Sequence, residues 1–242
     1  MKEKNEVIKY YSTISRIYDR VRLGSTKGKI ISSLQIDWFI KNLGNKNSIY
    51  LEIGCGTGRI TRILVKRTNL LVATDASLEM IKINKSMMSN TKLKNRTEYV
   101  LSDASHLPFR DESFDNVIGA RLFWHILDYV KTLGEAFRVL KIKKHLLFDF
   151  PCLWGPFSLY SKLRRIKHEV LTLFIDRKTI KQILKRADNL TIRSNTSLLL
   201  FFTPSKLLKS EKIRKLIYLF EQFDYAFLKD SFYSYYLIKV TK

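Results

Sequence analysis

Residues 51–59 read LEIGCGTGR. Leu51, Glu52 and Ile53 close a β-rich run, SIYLEI (48–53), and Ile60, Ile63 and Leu64 beyond the glycines fall at helical spacing. A strand, a turn with glycine at every second position and a helix therefore follow one another directly. Glycines at 54, 56 and 58 permit positive φ and let a ligand approach the backbone. The helix start that follows offers free N–H groups. In a doubly wound sheet such a turn lies at the carboxyl end of a strand, where these sheets bind ligands.

The flanking sequence repeats the alternation. LLVAT (70–74) is a buried-strand run, followed by a helix through Leu78, Ile81 and Lys85. TEYVLS (97–102) and FDNVIGA (114–120) read as third and fourth strands. Val130, Leu133, Phe137 and Leu140 define a helix, and HLLFDF (145–150) is a fifth strand. Near-continuous apolar strands separated by helices predict an α/β fold with a mostly parallel sheet covered on both faces. Ahead of it, Val7, Tyr11, Ile14, Tyr18 and Val21 form one apolar stripe on an amphipathic helix, and Ile31, Leu34 and Trp38 mark a second helix. After Pro151, PCLWGPFSLY (151–160) reads as a loop or lid, 177–187 as helix, 190–202 as strand, 205–223 as helix and 232–241 as strand. The predicted organisation is one domain over 1–242: an N-terminal helical cap (1–46), a ligand-binding core (47–151), and an acceptor-side lid with closing strands (152–242).

The glycine spacing separates rival phosphate loops. A dinucleotide fingerprint is GxGxxG, whereas this is GxGxG, and the GxxxxGK[ST] of a P-loop is missing. Glu52, just ahead of the glycines, is unsuited to cradling a phosphate. It suits a cationic ligand end, such as a sulfonium-bearing amino acid with a free ammonium group.

At this point the chain resembles the class I S-adenosylmethionine-dependent methyltransferases. LEIGCGTGR is similar to their first motif, VATDASLEMI (72–81) to their second-strand end, SDASHLPFRDESFDNVI (102–118) to their D-A-x-x-LPF stretch, and LGEAFRVLK (133–141) to the segment before their fifth strand. Ile17-Tyr18-Asp19 and the closing strand ending in Lys242 also look like the branch that includes quinone-biosynthesis and other small-molecule methyltransferases. The resemblance implies a doubly wound, seven-stranded Rossmann-like sheet with N-terminal helices and a C-terminal helical lid. It implies S-adenosyl-L-methionine as cofactor, held by Glu52, Gly54, Cys55, Gly56, Gly58, Asp75, Ala76, Asp103, Ala104 and Arg121. Asp75 would take the ribose hydroxyls, and Asp103 and Ala104 the adenine. The chain departs from the family where a Pro-Gly-Gly turn usually follows RVLK: Ile142-Lys143-Lys144-His145 stand there.

Each residue also has a structural role open to it. Glu52 could form a core-edge salt bridge, Asp75 could cap a helix, and Asp103 could cap a turn. Cys55 fits a small-residue position and carries no redox role. His125 is the candidate general base, because an imidazole titrates near neutrality; packing on the next helix is its alternative. Tyr10, Tyr11 and Tyr18 could cover the cofactor, and Trp154, Phe157 and Tyr160 could line the acceptor pocket or dip into a membrane interface. GARLFWHI (119–126) replaces the Asn/Asp-Pro-Pro-Tyr motif, which argues against methylation of exocyclic base or glutamine amines. No metal-ligand pattern appears, so no metal is expected.

Composition bounds the acceptor. The chain has 242 residues, 44 Lys and Arg against 22 Asp and Glu, and a net charge of +22. This excludes an acidic partner-mimic and leaves nucleic acid, anionic membrane and anionic substrate open. Basic residues cluster at 162–167, 178–186 and 206–215, interleaved with Leu, Ile or Phe. Two cysteines, Cys55 and Cys152, make a disulfide framework improbable and a reducing cytoplasmic compartment the default. The start, MKEKNEVIKYY, is no signal peptide, and the longest apolar run, Leu198–Phe202, is too short to span a bilayer. The leading expectation is transfer of a methyl group to a small-molecule or lipid-like acceptor. An RNA or protein methyltransferase using the basic surface and a non-catalytic cofactor-binding scaffold are the alternatives.

Overall fold

The computed structural model describes residues 2–44, 47–89, 91–126, 128–152, 175–185, 187–195, 203–221 and 235–242. Seven strands join in one sheet: β1 (Ile49–Ile53), β2 (Leu70–Asp75), β3 (Thr97–Leu101), β4 (Phe114–Gly119), β5 (Leu140–Pro151), β6 (Asn189–Asn195) and β7 (Tyr235–Thr241). Their spatial order is β3-β2-β1-β4-β5-β7-β6. Strands β3, β2, β1, β4 and β5 pair in parallel, and β7 runs antiparallel between β5 and β6. Successive strands thus step one way from β1 to β3, then cross back to β4. The crevice above β1 and β4 is the switch point at which such sheets bind ligands.

Among the described residues the α-helices are α1 (Lys2–Ile14), α2 (Tyr18–Leu23), α3 (Thr26–Asn42), α4 (Thr61–Leu64), α5 (Leu78–Ser89), α6 (Tyr129–Val139), α7 (Arg177–Ile183) and α8 (Glu211–Glu221). Side chains cap several of their starts: Ser25 Oγ accepts from Gly28 N at 3.0 Å, Asp128 Oδ1 from Lys131 N at 3.0 Å and Asp176 Oδ1 from Thr179 N at 2.7 Å, each cap contributing about 1 kcal/mol.

Strand periodicity sorts the core into two layers. Leu51, Ile53, Phe148, Phe150, Tyr236 and Ile238 face one layer with Leu133 and Ala136 of α6. Tyr50, Leu147, Tyr235 and Leu237 face the other with Trp38 and Phe39 of α3. Both faces of β1, β5 and β7 are therefore buried, which is why these strands read as almost unbroken apolar runs. Burying each large side chain stabilises the fold by about 1.5–3 kcal/mol.

Three expectations change. The first apolar stripe does not lie on one helix. Buried Ser15 bonds back to the Ser12 carbonyl at 2.9 Å, a 3-10 turn over Ser15–Ile17 separates α1 from α2, and Val21 is exposed. A serine hydroxyl competing for backbone partners accounts for the break. The fifth strand starts at Leu140, not 145, so Val139 ends the preceding helix. And where the resemblance expects Pro-Gly-Gly, the chain stays extended through a bulge: pairing with β4 shifts between Leu140 and His145, with Lys143 at φ 59°. Lys143 N donates to the Lys242 carbonyl at 2.8 Å, which holds a lysine in a conformation that favours glycine. The expected lid aromatics, Trp154, Phe157 and Tyr160, lie outside the described residues, as does the 162–167 basic cluster.

Relieving the left-handed backbone at 143 should stabilise the sheet. Lys143→Gly is expected to raise the thermal midpoint, by up to about 1 kcal/mol of added stability; a fall in midpoint under the same buffer would refute the strain argument.

Candidate active site

The turn after β1 is built by positive φ at Gly54 (71°), Gly56 (52°) and Gly58 (90°). A side chain at Gly58 would put Cβ 2.3 Å from Asn84 Oδ1, so only glycine fits there. Gly56 has nothing within 4 Å of the Cβ position; it opens onto space. Cys55 N donates to the Thr74 carbonyl at 2.8 Å, which ties the turn to the end of β2. Asp75 completes that tie. One carboxylate oxygen accepts from Gly56 N at 2.8 Å and the other from Ser77 N at 2.8 Å.

A chain of buried polar groups supports the turn from beneath. Thr61 Oγ1 donates to Glu52 Oε2 at 2.6 Å, Asn84 Nδ2 donates to Thr61 Oγ1 at 2.8 Å, and the Tyr99 hydroxyl donates to Asn84 Oδ1 at 3.1 Å. Burial pushes the Glu52 carboxyl up to about 8, against the hydrogen bond from Thr61 and the positive charge of Arg59. Burial raises Asp75 as well, opposed by the amides of Ser77 and Gly56.

Above the turn lies a cavity of about 310 Å³. Its sheet-side lining comes from Ile53, Gly54, Gly56, Asp75, Ala76, Asp103, Ala104 and Arg121, and His125 borders it. The N-terminal helices cover it through Lys4, Val7, Ile8, Tyr11 and Tyr18. Lys4 is ion-paired with Asp103, the Ser12 and Ser77 hydroxyls are 2.9 Å apart, and the Tyr11 and His125 rings meet edge-on at 5.3 Å. Asp19 of α2 reaches the turn itself, accepting from Thr57 Oγ1 at 2.7 Å. Although burial raises it, the Asp103 carboxyl is held well below the usual carboxylate range by hydrogen bonds from Lys4 and Ser105.

At the β4 end, Arg121 sits at φ 56° with its N–H donated to buried Asp149 Oδ1 at 2.5 Å. Asp149 Oδ2 accepts from Trp124 Nε1 at 3.0 Å and Gln35 Nε2 at 2.8 Å. Gln35 Oε1 in turn accepts from Arg59 at 2.7 Å. Burial, then the nearby Arg121 charge, lowers Arg59 to about 10.

The structure brings Gly54, Gly56, Asp75, Ala76, Asp103, Ala104, Arg121 and His125 to one cavity. Glu52, Cys55 and Gly58 lie behind it. Glu52 faces Thr61, and Cys55 packs with Ala73 and Ile81 in a small buried cluster. Sequence reasoning missed Thr61, Asn84 and Tyr99 beneath the turn, Lys4 on Asp103, and Asp149. A charged residue inside the apolar run HLLFDF was the available signal for Asp149.

Residues 51–148 match the family model of a methyltransferase domain. A ubiquinone/menaquinone biosynthesis C-methyltransferase from Rickettsia prowazekii is 33% identical over 135 residues, covering 52% of this chain and 54% of that protein. The chain spans about half the length of the curated relatives it matches. Among solved structures, an S-adenosylmethionine-dependent methyltransferase from Thermotoga maritima, described as a possible histamine N-methyltransferase, aligns with a TM-score of 0.66 at 15% identity over 96% of this chain and 98% of that one. The geranyl diphosphate C-methyltransferase of Streptomyces coelicolor, crystallised with S-adenosyl-L-homocysteine, aligns at 0.62 and 14% identity over 89% and 82%. Residues 51–148 therefore match a methyltransferase domain, and the chain has the fold of these S-adenosylmethionine-dependent methyltransferases.

The elevated Glu52 carboxyl predicts a pH signature. Its folded value, about 8, lies above the ordinary 4.5, so its stabilising contribution is full below about 4.5 and is lost as pH rises through about 8. Glu52→Gln keeps an acceptor for Thr61 and removes the titration. Thermal midpoints of wild type should fall relative to the variant between those pH values; parallel curves would show that Glu52 does not titrate there.

Proposed function

We propose that this chain is an S-adenosylmethionine-dependent methyltransferase acting on a small-molecule or lipid-like acceptor. The observation that carries the reading is the convergence of Gly56, Asp75 and Asp103, from three successive strand ends, on one cavity. The residues fit the cofactor. The Gly56 position is open where a ligand must approach backbone, and two carboxylates stand one strand apart to receive hydroxyl and amino donors. Bound there, the cofactor supplies a methyl group already activated as a sulfonium.

The chain's own residues hold and orient. Asp75, fixed by two amides, takes the ribose hydroxyls, and Asp103 with the Ala104 backbone takes the adenine edge. Glu52, Cys55 and Gly58 act through the shape of the turn. Tyr11 and Tyr18 exclude water from above. Orientation of this kind is worth roughly 7–11 kcal/mol of barrier, so few groups need do chemistry. His125, beside Tyr11 at the cavity edge, is the base that receives a proton from a hydroxyl or carbon-acid acceptor.

A second observation concerns partners. Among the described residues no helix is long and apolar enough to cross a membrane. Yet α8 buries only one face: Ile217 packs with Ile30 and Leu34 of α3, while Leu216 and Leu219 point outward, 55% and 59% exposed. Lys212 and Lys215 flank them, and Lys206, Leu207 and Lys209 just before α8 are exposed too. Exposed leucines between lysines suit an anionic bilayer surface, and we propose that a cytoplasmic enzyme rests there.

Calorimetry tests the cofactor site: Asp75→Ala should bind S-adenosylmethionine at least about tenfold more weakly, the effect of losing a charge-assisted hydrogen bond, and equal binding would remove Asp75 from it. His125→Gln should keep cofactor affinity yet slow transfer by about a hundredfold or more; an unchanged rate would remove the base. The acceptor for that assay comes from comparing metabolites and lipids of cells with and without the gene. For the surface, wild type should co-sediment with vesicles of phosphatidylcholine and phosphatidylserine, and Leu216→Ser/Leu219→Ser should not. Binding to single-stranded RNA with steep salt dependence, and not to vesicles, would overturn the membrane reading.

A further inference from the structure

The sheet order divides the cavity. Of the residues that the resemblance gives to the cofactor, all but Arg121 stand at the ends of β3, β2 and β1; Arg121, at the end of β4, is reassigned here. The remaining sheet-side wall belongs to β4 and the segment leading to α6: Arg121, Leu122, His125 and Ile126. An acceptor must enter this half. Of these residues only Arg121 carries a fixed charge, because an arginine stays protonated at any working pH.

Three features set Arg121 apart. It lines the cavity. Its backbone is in the left-handed region, φ 56°, a conformation that costs a non-glycine residue energy and is retained where a side chain must be aimed. Among the described residues its guanidinium makes no hydrogen bond and no ion pair. The nearest candidate partner, Asp149, is already engaged: it accepts from the Arg121 backbone amide, from Trp124 and from Gln35. Asp103 is engaged by Lys4 and Asp75 by two amides. Arg59 stands behind Arg121 as a second cation, itself held by Ser32 and Gln35. The partly buried guanidinium is attracted through space by the Asp149 carboxylate and repelled by Arg59, and its own N–H donors are left for an oxygen ligand in the cavity.

We infer that the methyl acceptor carries an anionic oxygen group (a carboxylate, a phosphate or an ionised hydroxyl) and that Arg121 binds it in the β4 half of the cavity. The inference rests on the methyltransferase reading above. Arg121 is then a specificity-determining residue: it selects anionic acceptors and sets them on the His125 side of the cavity. A guanidinium suits the task because its planar fork meets two oxygens at once.

The test uses the full chain saturated with S-adenosylhomocysteine, whose own carboxylate then occupies its place. Benzoate and inorganic phosphate are titrated into that complex by calorimetry. Wild type should bind at least one of them. Arg121→Asn, which tolerates the left-handed backbone, should weaken that binding at least about tenfold, Arg121→Lys less, and S-adenosylhomocysteine affinity should change less than about threefold in both. Arg121→Gly serves if the asparagine variant misfolds. Equal anion binding in wild type and variants, or none in wild type, overturns the inference. So does a loss of S-adenosylhomocysteine affinity in Arg121→Asn that disappears with an analogue lacking the cofactor carboxylate, since Arg121 would then read the cofactor. Failure of wild type to bind S-adenosylhomocysteine, measured before any anion is added, overturns both readings together.

Discussion

The rest of the site hangs on the clamping of one glycine turn from both sides. From beneath, Asn84 occupies the place of a Gly58 side chain and hands its hydrogen bonds on to Thr61, Glu52 and Tyr99. From the side, Asp75 takes the Gly56 amide. Within the turn's own backbone only Gly58 N closes back, onto the Cys55 carbonyl at 3.1 Å, so these outside partners do most to fix its shape. Each buried link is costly to break, about 1–3 kcal/mol for an orphaned group. That expense gives the turn a fixed shape before any ligand arrives, which is what a binding site placed on backbone requires.

From that fixed turn the two halves of the crevice follow. Because β2 and β3 lie on one side of β1 and β4 and β5 on the other, the acids at the ends of β2 and β3 face one half and Arg121 and Asp149 stand at the other. The chemistry of the halves differs. Asp75 and Asp103 suit hydroxyl and amino donors, whereas the β4 half presents an aimed cation beside an imidazole. Buried Asp149 attracts that cation through space, while its oxygens bind amide and indole N–H groups rather than the guanidinium itself.

What the sequence disclosed and what it hid divide along sequence separation. Gly54, Gly56, Asp75 and Asp103 are legible because each belongs to a local strand-end pattern, and the pattern fixes where the strand end goes. The sheet was legible for the same reason: two buried faces leave their mark in every strand. Lys4 on Asp103 and Gln35 on Asp149 span 99 and 114 residues, and no local periodicity encodes such a meeting. Glu52 is the instructive middle case. Its position in the motif is local, but the direction of its side chain is set by Thr61, whose hydroxyl donates to it and is held in turn by Asn84. The break between α1 and α2 was hidden by the apolar stripe, which continues in sequence across a serine that diverts the backbone. Lys143 shows the converse: tertiary pairing with Lys242 imposes a conformation that its own propensity opposes.

The cover over the cavity obeys a different rule from the sheet below it. No residue of α1 whose side chain is described is fully buried. Its apolar positions Val7, Ile8 and Tyr11 line the cavity rather than a core, and what ties the helix down is Lys4 on Asp103, Ser12 beside Ser77 and Tyr11 against His125. Such a helix belongs to the low-stability end of a fold, because few apolar contacts resist its opening. The same residues that leave it weakly held are those that gain burial once the cavity is filled. Anything that fills it therefore stabilises the cover by mass action, and the contact that closes α1 uses Asp103, the same carboxylate assigned to the cofactor's adenine. Closure and occupancy are thus coupled at one residue. A cover held by the ligand's own apolar surface can open for exchange without disturbing the turn beneath, whose clamps are buried and independent of it.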